Sequence, residues 1–238
     1  MFDRAYLDLF RRIAAAPDVH LGCSSLTLLE TFHIGYCFFR PDVPSDDVSL
    51  LSVLRLAVSK RYGFEGGGPS VFEMVRRVSE NEERAFELFI RELDLTMLQH
   101  PEAVRRSPAR FLYRESPPVS VILDVLEKPR MLLPRQSVGC LRALIEGISL
   151  AALDSGHDDC LDLEGFPLWV RRQFNLKGMF RWEKAVLDQL CGDEVAAFRW
   201  ATEEMRAYRA SKGPTKTFDL AVVDRAEAGD GGDISGFS

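Results

Sequence analysis

The chain repeats itself at a fixed offset of 112 residues, and no other feature constrains its fold as much. Pro17, Leu21, Ser25, Leu29 and Gly35 recur as Pro129, Leu133, Ser137, Leu141 and Gly147. Without a gap, the same offset carries Asp42, Asp46 and Asp47 onto Asp154, Asp158 and Asp159. It also carries Glu82, Ala85, Phe86 and Glu92 onto Glu194, Ala197, Phe198 and Glu204. About sixteen of the eighty positions from 17 to 96 are identical, well above what shared composition gives by chance. Apolar-for-apolar matches, such as Phe32 with Leu144 and Met74 with Val186, fill in the rest. Two copies are too few for a solenoid. The pattern predicts two tandem, pseudo-symmetric modules packed together: residues 1–98, a connector over 99–118, a second module over 119–211, and a flexible tail over 212–238.

Each module reads as helical, so the expected class is all-α. Tyr6, Leu9, Phe10 and Ile13 recur at the 3.6-residue period, and Pro17 ends that run. Ser24 or Ser25 caps a second helix through Leu28, Leu29, Phe32 and Tyr36; Asp46 or Asp47 caps a third through Leu50, Leu51, Leu54 and Val58. Two more follow, Val71 to Val78 and Asn81 or Glu82 to about Leu98. In the second module the corresponding runs are Val119–Leu126, Ser137–Leu153, Leu161–Phe174, Trp182–Leu190 and Asp193–Arg209. Only short pieces such as Phe111-Leu112-Tyr113 read as extended, and a short helix over Pro101–Arg106 fits the connector.

With 30 basic and 36 acidic residues the net charge is −6. That balance argues against nucleic acid, whose phosphates need a positive surface. No apolar run is long enough to span a bilayer, and the N-terminus does not read as a signal peptide. Five cysteines, an odd number in apolar or helical surroundings, fit reduced thiols and a cytoplasmic location.

Motifs that would carry chemistry are weak. His20-x-x-Cys23 and His157-x-x-Cys160 have ligand-like spacing, but the 112-residue offset puts Leu132 opposite His20 and Ser45 opposite His157. No metal is therefore expected. His33 is replaced by Ile145 in the second copy, no Gly-x-Ser-x-Gly elbow is present, and Gly66-Gly67-Gly68 lacks the Lys-Ser/Thr of a phosphate loop. No cofactor is expected, and no catalytic residue stands out.

The repeated acids stand out more. Asp46, Asp47, Asp158 and Asp159, with Asp162 and Glu164 extending the second copy, can cap helices. Capping uses one or two acids per copy, so the remainder reads as an anionic patch for a basic partner. Phe180 and Trp182, near a helix start, are either core or, if exposed, interface anchors.

The second module resembles a group of small bacterial proteins that share a Lys/Arg-Pro-x-Met turn, then a helix, then a Trp-Val-Ala-Arg-Arg-Phe-Gly-like helix and a final helix with an acidic start. The matching residues are Lys128-Pro129-Arg130-Met131-Leu132-Leu133-Pro134, Ser137-Val138, Gly147 and Phe166-Pro167-Leu168-Trp169-Val170-Arg171-Arg172-Gln173-Phe174. Gly192-Asp193-Glu194 and Ala197-Phe198 complete the match. It covers about ninety residues per copy, with Pro17 to Gly22 and Gly35-Tyr36 in a more diverged first copy. Some such proteins resemble immunity proteins that neutralise antibacterial toxins. The resemblance implies a non-enzymatic binding protein whose partner is a cognate protein toxin. Two other readings stay open: a self-associating helical protein, and an enzyme whose inter-module cleft uses His20, His33 or His157 with the acids.

Overall fold

The stretch Leu26–Phe39 is apolar on nearly every side, and a helix of that kind has to be surrounded. The computed structural model puts it at the centre of the molecule. The structure describes residues 2–39, 50–64, 69–100, 127–129, 133–154, 163, 165–178 and 180–212. Among these the chain is all-α, without strands. In chain order the helices are α1 (Phe2–Ala15), α2 (Pro17–His20), α3 (Leu26–Phe39), α4 (Leu50–Tyr62) and α5 (Val71–Arg77), then α6 (Glu82–Gln99), α7 (Val138–Asp154), α8 (Phe166–Gln173), α9 (Trp182–Gln189) and α10 (Glu194–Lys212).

Helices α3 and α7 form the central pair. Near their starts, a Cβ on Gly139 would lie 3.5 Å from Leu28; near their ends, the Tyr36 hydroxyl donates to Asp154 Oδ2 at 2.8 Å. The two helices therefore run in the same direction. Between these points they cross at backbone contact. A Cβ on Gly35 would stand 2.2 Å from the Leu144 carbonyl oxygen, and one on Gly147 would stand 2.1 Å from that of Phe32. Only glycine fits at either position. The contacts are reciprocal under the 112-residue offset: Gly35 meets Leu144, and their equivalents, Gly147 and Phe32, meet each other.

Around this pair sit two apolar cores. Helices α1, α4, α5 and α6 enclose one with α3, built on Phe10, Ile13, Leu29, Phe32, Leu54, Val58, Met74 and Phe89. Helices α8, α9 and α10 enclose the other with α7, built on Leu141, Leu144, Phe166, Val170, Val186, Ala201 and Met205. Neither core is confined to its own half. Ala143 and Ala151 of α7 belong to the first, and Leu28 and Ile34 of α3 pack on the second.

Local geometry repeats as well. Leu21 N–H donates to Pro17 at 2.7 Å, and Leu133 N–H to Pro129 at 2.9 Å. Ser25 Oγ accepts from Leu28 N–H, as Ser137 Oγ does from Cys140 N–H. Asn81 caps α6 through Arg84 N–H, as Asp193 caps α10 through Ala196 N–H. Past α4 the chain turns through Gly63 at φ 74°, and past α8 it turns through Asn175 at φ 49°. Asn is the non-glycine residue best suited to that left-handed region.

Helices α5, α6, α7 and α9 match the sequence reading within a residue at each end, and α10 runs further than expected, to Lys212. Helix α8 starts later than expected, at Phe166, with Pro167 in its first turn, where a missing N–H costs nothing. The sequence reading missed α2: Pro17 ends α1, but it also opens the next short helix. The expected helices at Val119–Leu126 and Pro101–Arg106, the extended piece at Phe111–Tyr113 and the tail lie outside the described residues.

Candidate functional site

Helices α4 and α8 share a surface feature that repeats across the two halves. In both halves an acidic stretch of sequence leads directly into this helix. Leu54 and Val58 of α4, and Phe166 and Val170 of α8, point into the two cores. Between them Leu56 and Leu168, identical residues at equivalent positions, face outward at 65% and 57% exposure. Single outward apolar residues are ordinary, and Val19, Leu98 and Leu153 are others; these two are set apart by recurring at equivalent positions of both halves. One turn further on, each helix carries an exposed cation, Lys60 or Arg172.

Both helices are held from behind by an equivalent carboxylate, buried in the first half and partly exposed in the second. Glu92 of α6, 1% exposed, accepts from the Tyr62 hydroxyl at 3.0 Å and pairs with Arg61. Its equivalent, Glu204 of α10, accepts from Trp169 Nε1 at 2.6 Å. The repeated glutamate thus anchors α4 and α8 through different partners.

Of the sequence-derived candidates, Asp46, Asp47, Asp158, Asp159, Asp162 and Glu164 lie outside the described residues. Trp182 takes the core alternative. At 8% exposure it opens α9 with its indole edge-on to Phe166, centroids 5.3 Å apart, so it is no surface anchor. Phe180 is partly buried against the same core. The sequence reading did not single out Leu56 and Leu168, although their identity at the repeat offset was visible.

A second polar region lines the seam between the halves. Arg181 lies over Gly22, in the space a Cβ would occupy, and donates to the carbonyls of Asp18 (3.5 Å) and Leu21 (3.4 Å). Arg142 of α7 donates to the Val19 carbonyl at 3.4 Å. Both guanidiniums meet the end of α2, where the helix dipole is negative. Glu183 balances them, 3.5 Å from Arg142 and paired with Arg181. On the other side Arg135 lies 3.5 Å from Glu82, which accepts from Thr27 N–H (2.8 Å), Thr27 Oγ1 (2.8 Å) and Ser25 Oγ (3.0 Å). Burial pushes the Glu82 carboxyl up, but those hydrogen bonds and Arg76 outweigh it and leave it below the usual range. Burial raises Glu30, which pairs with Arg76, and Glu146.

His20 and His33 sit in different surroundings. His20, at the end of α2, is lowered by burial and by the nearby Arg12 and Arg142 charges. His33, mid-way along α3, lies 5.9 Å from the Phe10 ring and 5.8 Å from Phe72, with Nδ1 3.1 Å from Cys37 Sγ. Burial pulls it down to about 4. His157 and Cys160 fall outside the described residues, within which no three His, Cys, Asp or Glu side chains gather as a metal site. No helix among them is long and apolar enough to cross a membrane. Comparison with protein-family models, curated proteins and solved structures gives no match.

Proposed function

We propose that the chain is a non-enzymatic, cytoplasmic protein-binding module that neutralises a basic protein toxin by occluding it. One observation carries the reading. Each half presents, in the same order, an acidic stretch and then a helix with an outward leucine, Leu56 or Leu168. The leucine would supply contact area, the acids of the stretch would attract a cationic partner, and Lys60 or Arg172, one turn past the leucine, would require an acid at that point of it. The net charge of −6 acts in the same direction over longer range. The choice of a toxin as that partner rests on the Lys128-Pro129-Arg130-Met131 turn and the Trp169-Val170-Arg171-Arg172-Gln173-Phe174 helix, which resemble those of immunity-like bacterial proteins.

The test compares recovery of a partner on the tagged wild-type chain and on the Leu56→Ser/Leu168→Ser variant, both first checked for native helicity. Both leucines are exposed, so the variant is expected to fold normally and to lose the partner. Equal recovery on both proteins would remove these helices from the interface.

A further inference from the structure

We infer that the chain is a fused dimer, whose halves hold each other as two subunits would and need no covalent connector to stay paired. The crossing of α3 and α7 has the defining property of a two-fold interface, in which residue i meets residue j and the equivalent of j meets the equivalent of i. Gly35 meets Leu144, and Gly147 meets Phe32, each at a distance that excludes a Cβ. The matched caps, turns and left-handed residues extend this equivalence through both halves. Each core is also completed from the other side, by Ala143 and Ala151 in one case and by Leu28 and Ile34 in the other. A half without its partner would expose both the glycine crossing and an open core.

The seam has become charge-sorted. Glu30 and Arg142 occupy equivalent positions on α3 and α7, and each keeps an intra-half partner of opposite sign, Arg76 and Glu183. Across the seam, the guanidiniums come from the second half (Arg135, Arg142, Arg181), and their acceptors, Glu82 and the carbonyls ending α2, come from the first. In a pair of two first halves, Glu30 would stand where Arg142 stands and would face those carbonyls. Cys23 would replace Arg135, and Pro69 would replace Arg181. Unlike halves are therefore the favoured pair, because the like pair places negative charge against negative dipole.

The experiment cuts the folded full-length chain at a specific protease site inserted between Ser107 and Pro108, after circular dichroism shows that the uncut variant is native. Light scattering behind gel filtration is expected to give one species with the mass of the uncut chain and both fragments in equal amount. Separate fragments, or loss of one fragment from solution, would overturn the inference. If the insertion prevents folding, co-expression of residues 1–107 and 108–238 as two separate chains supplies the same readout. Refolding the cut protein from denaturant is expected to restore the unlike pair; a homodimer of the first fragment would refute the charge sorting.

Discussion

Lowering the pH should destabilise the first core through one side chain, His33. Its pKa falls from the ordinary 6.5 to about 4 because folding encloses the ring against Phe10 and Phe72 and disfavours its charged form. Between those two values the unfolded chain binds a proton that the folded chain does not. Stability is then flat above pH 6.5, falls as pH drops through the window, and levels off below about 4. One pKa unit is worth 1.36 kcal/mol, so the full loss is about 3 kcal/mol and the loss at pH 5 about 2 kcal/mol. Partial exposure of the residue trims this toward ~1 kcal/mol through solvent screening. The assay is urea unfolding at pH 7.5 and pH 5 for the wild-type chain and His33→Gln. The glutamine costs stability at both pH values, and that cost cancels in the difference. His20 is lowered in the same sense, and Glu30 and Glu146 are raised, so they stabilise as pH falls; all three are common to both proteins. The wild type is expected to lose ~1–2 kcal/mol more than the variant between the two pH values. Equal losses would refute the account of His33.

Three further outcomes are expected. Gly147→Ala forces a Cβ to 2.1 Å from the Phe32 carbonyl, so it should cost about 3 kcal/mol or more in urea unfolding, whereas Gly63→Ala, with nothing within 4 Å, should cost only about 1 kcal/mol for its positive φ. Glu82→Ala removes the acceptor of three hydrogen bonds at the start of α3 and should cost about 2 kcal/mol at neutral pH; because the Glu82 carboxyl is held below its usual range, the cost should shrink as pH falls through the acid range. Asp158→Asn with Asp159→Asn should weaken partner binding most at low salt; affinity unchanged at low ionic strength would take those acids out of the interface.

The sequence carried most helices because their signals are local, such as the apolar period of α1 and Ser25 and Asn81 as caps; the sequence reading places the start of α8 too early because it does not use Pro167 as a start signal. It also carried the pairing of equivalent positions, since one gapless offset holds from Pro17 to Glu92. Isolated glycines inside two helical runs mark close packing, yet Gly35 and Gly147 alone do not say that each packs on the other half. That requires the parallel arrangement of α3 and α7, a tertiary property. The seam was illegible for the same reason, because Arg142, Arg181 and Glu183 look like ordinary surface charges until α2 is brought against them. Trp182 had two sequence readings, since an aromatic at a helix start serves a core or an interface equally well, and packing against Phe166 assigns it to the core. Leu56 and Leu168 stayed hidden because one leucine in an apolar run gives no hint of which way it faces.

The most direct test of the binding account is growth rescue. The protein recovered with the tagged wild-type chain from its native host is expressed in a neutral host, alone and together with the wild-type chain or Leu56→Ser/Leu168→Ser. The account predicts that this partner arrests growth, that the wild-type chain restores it with a stoichiometric complex forming, and that the variant does not. A partner that leaves growth unaffected, or rescue by the variant equal to that by the wild type, would contradict it.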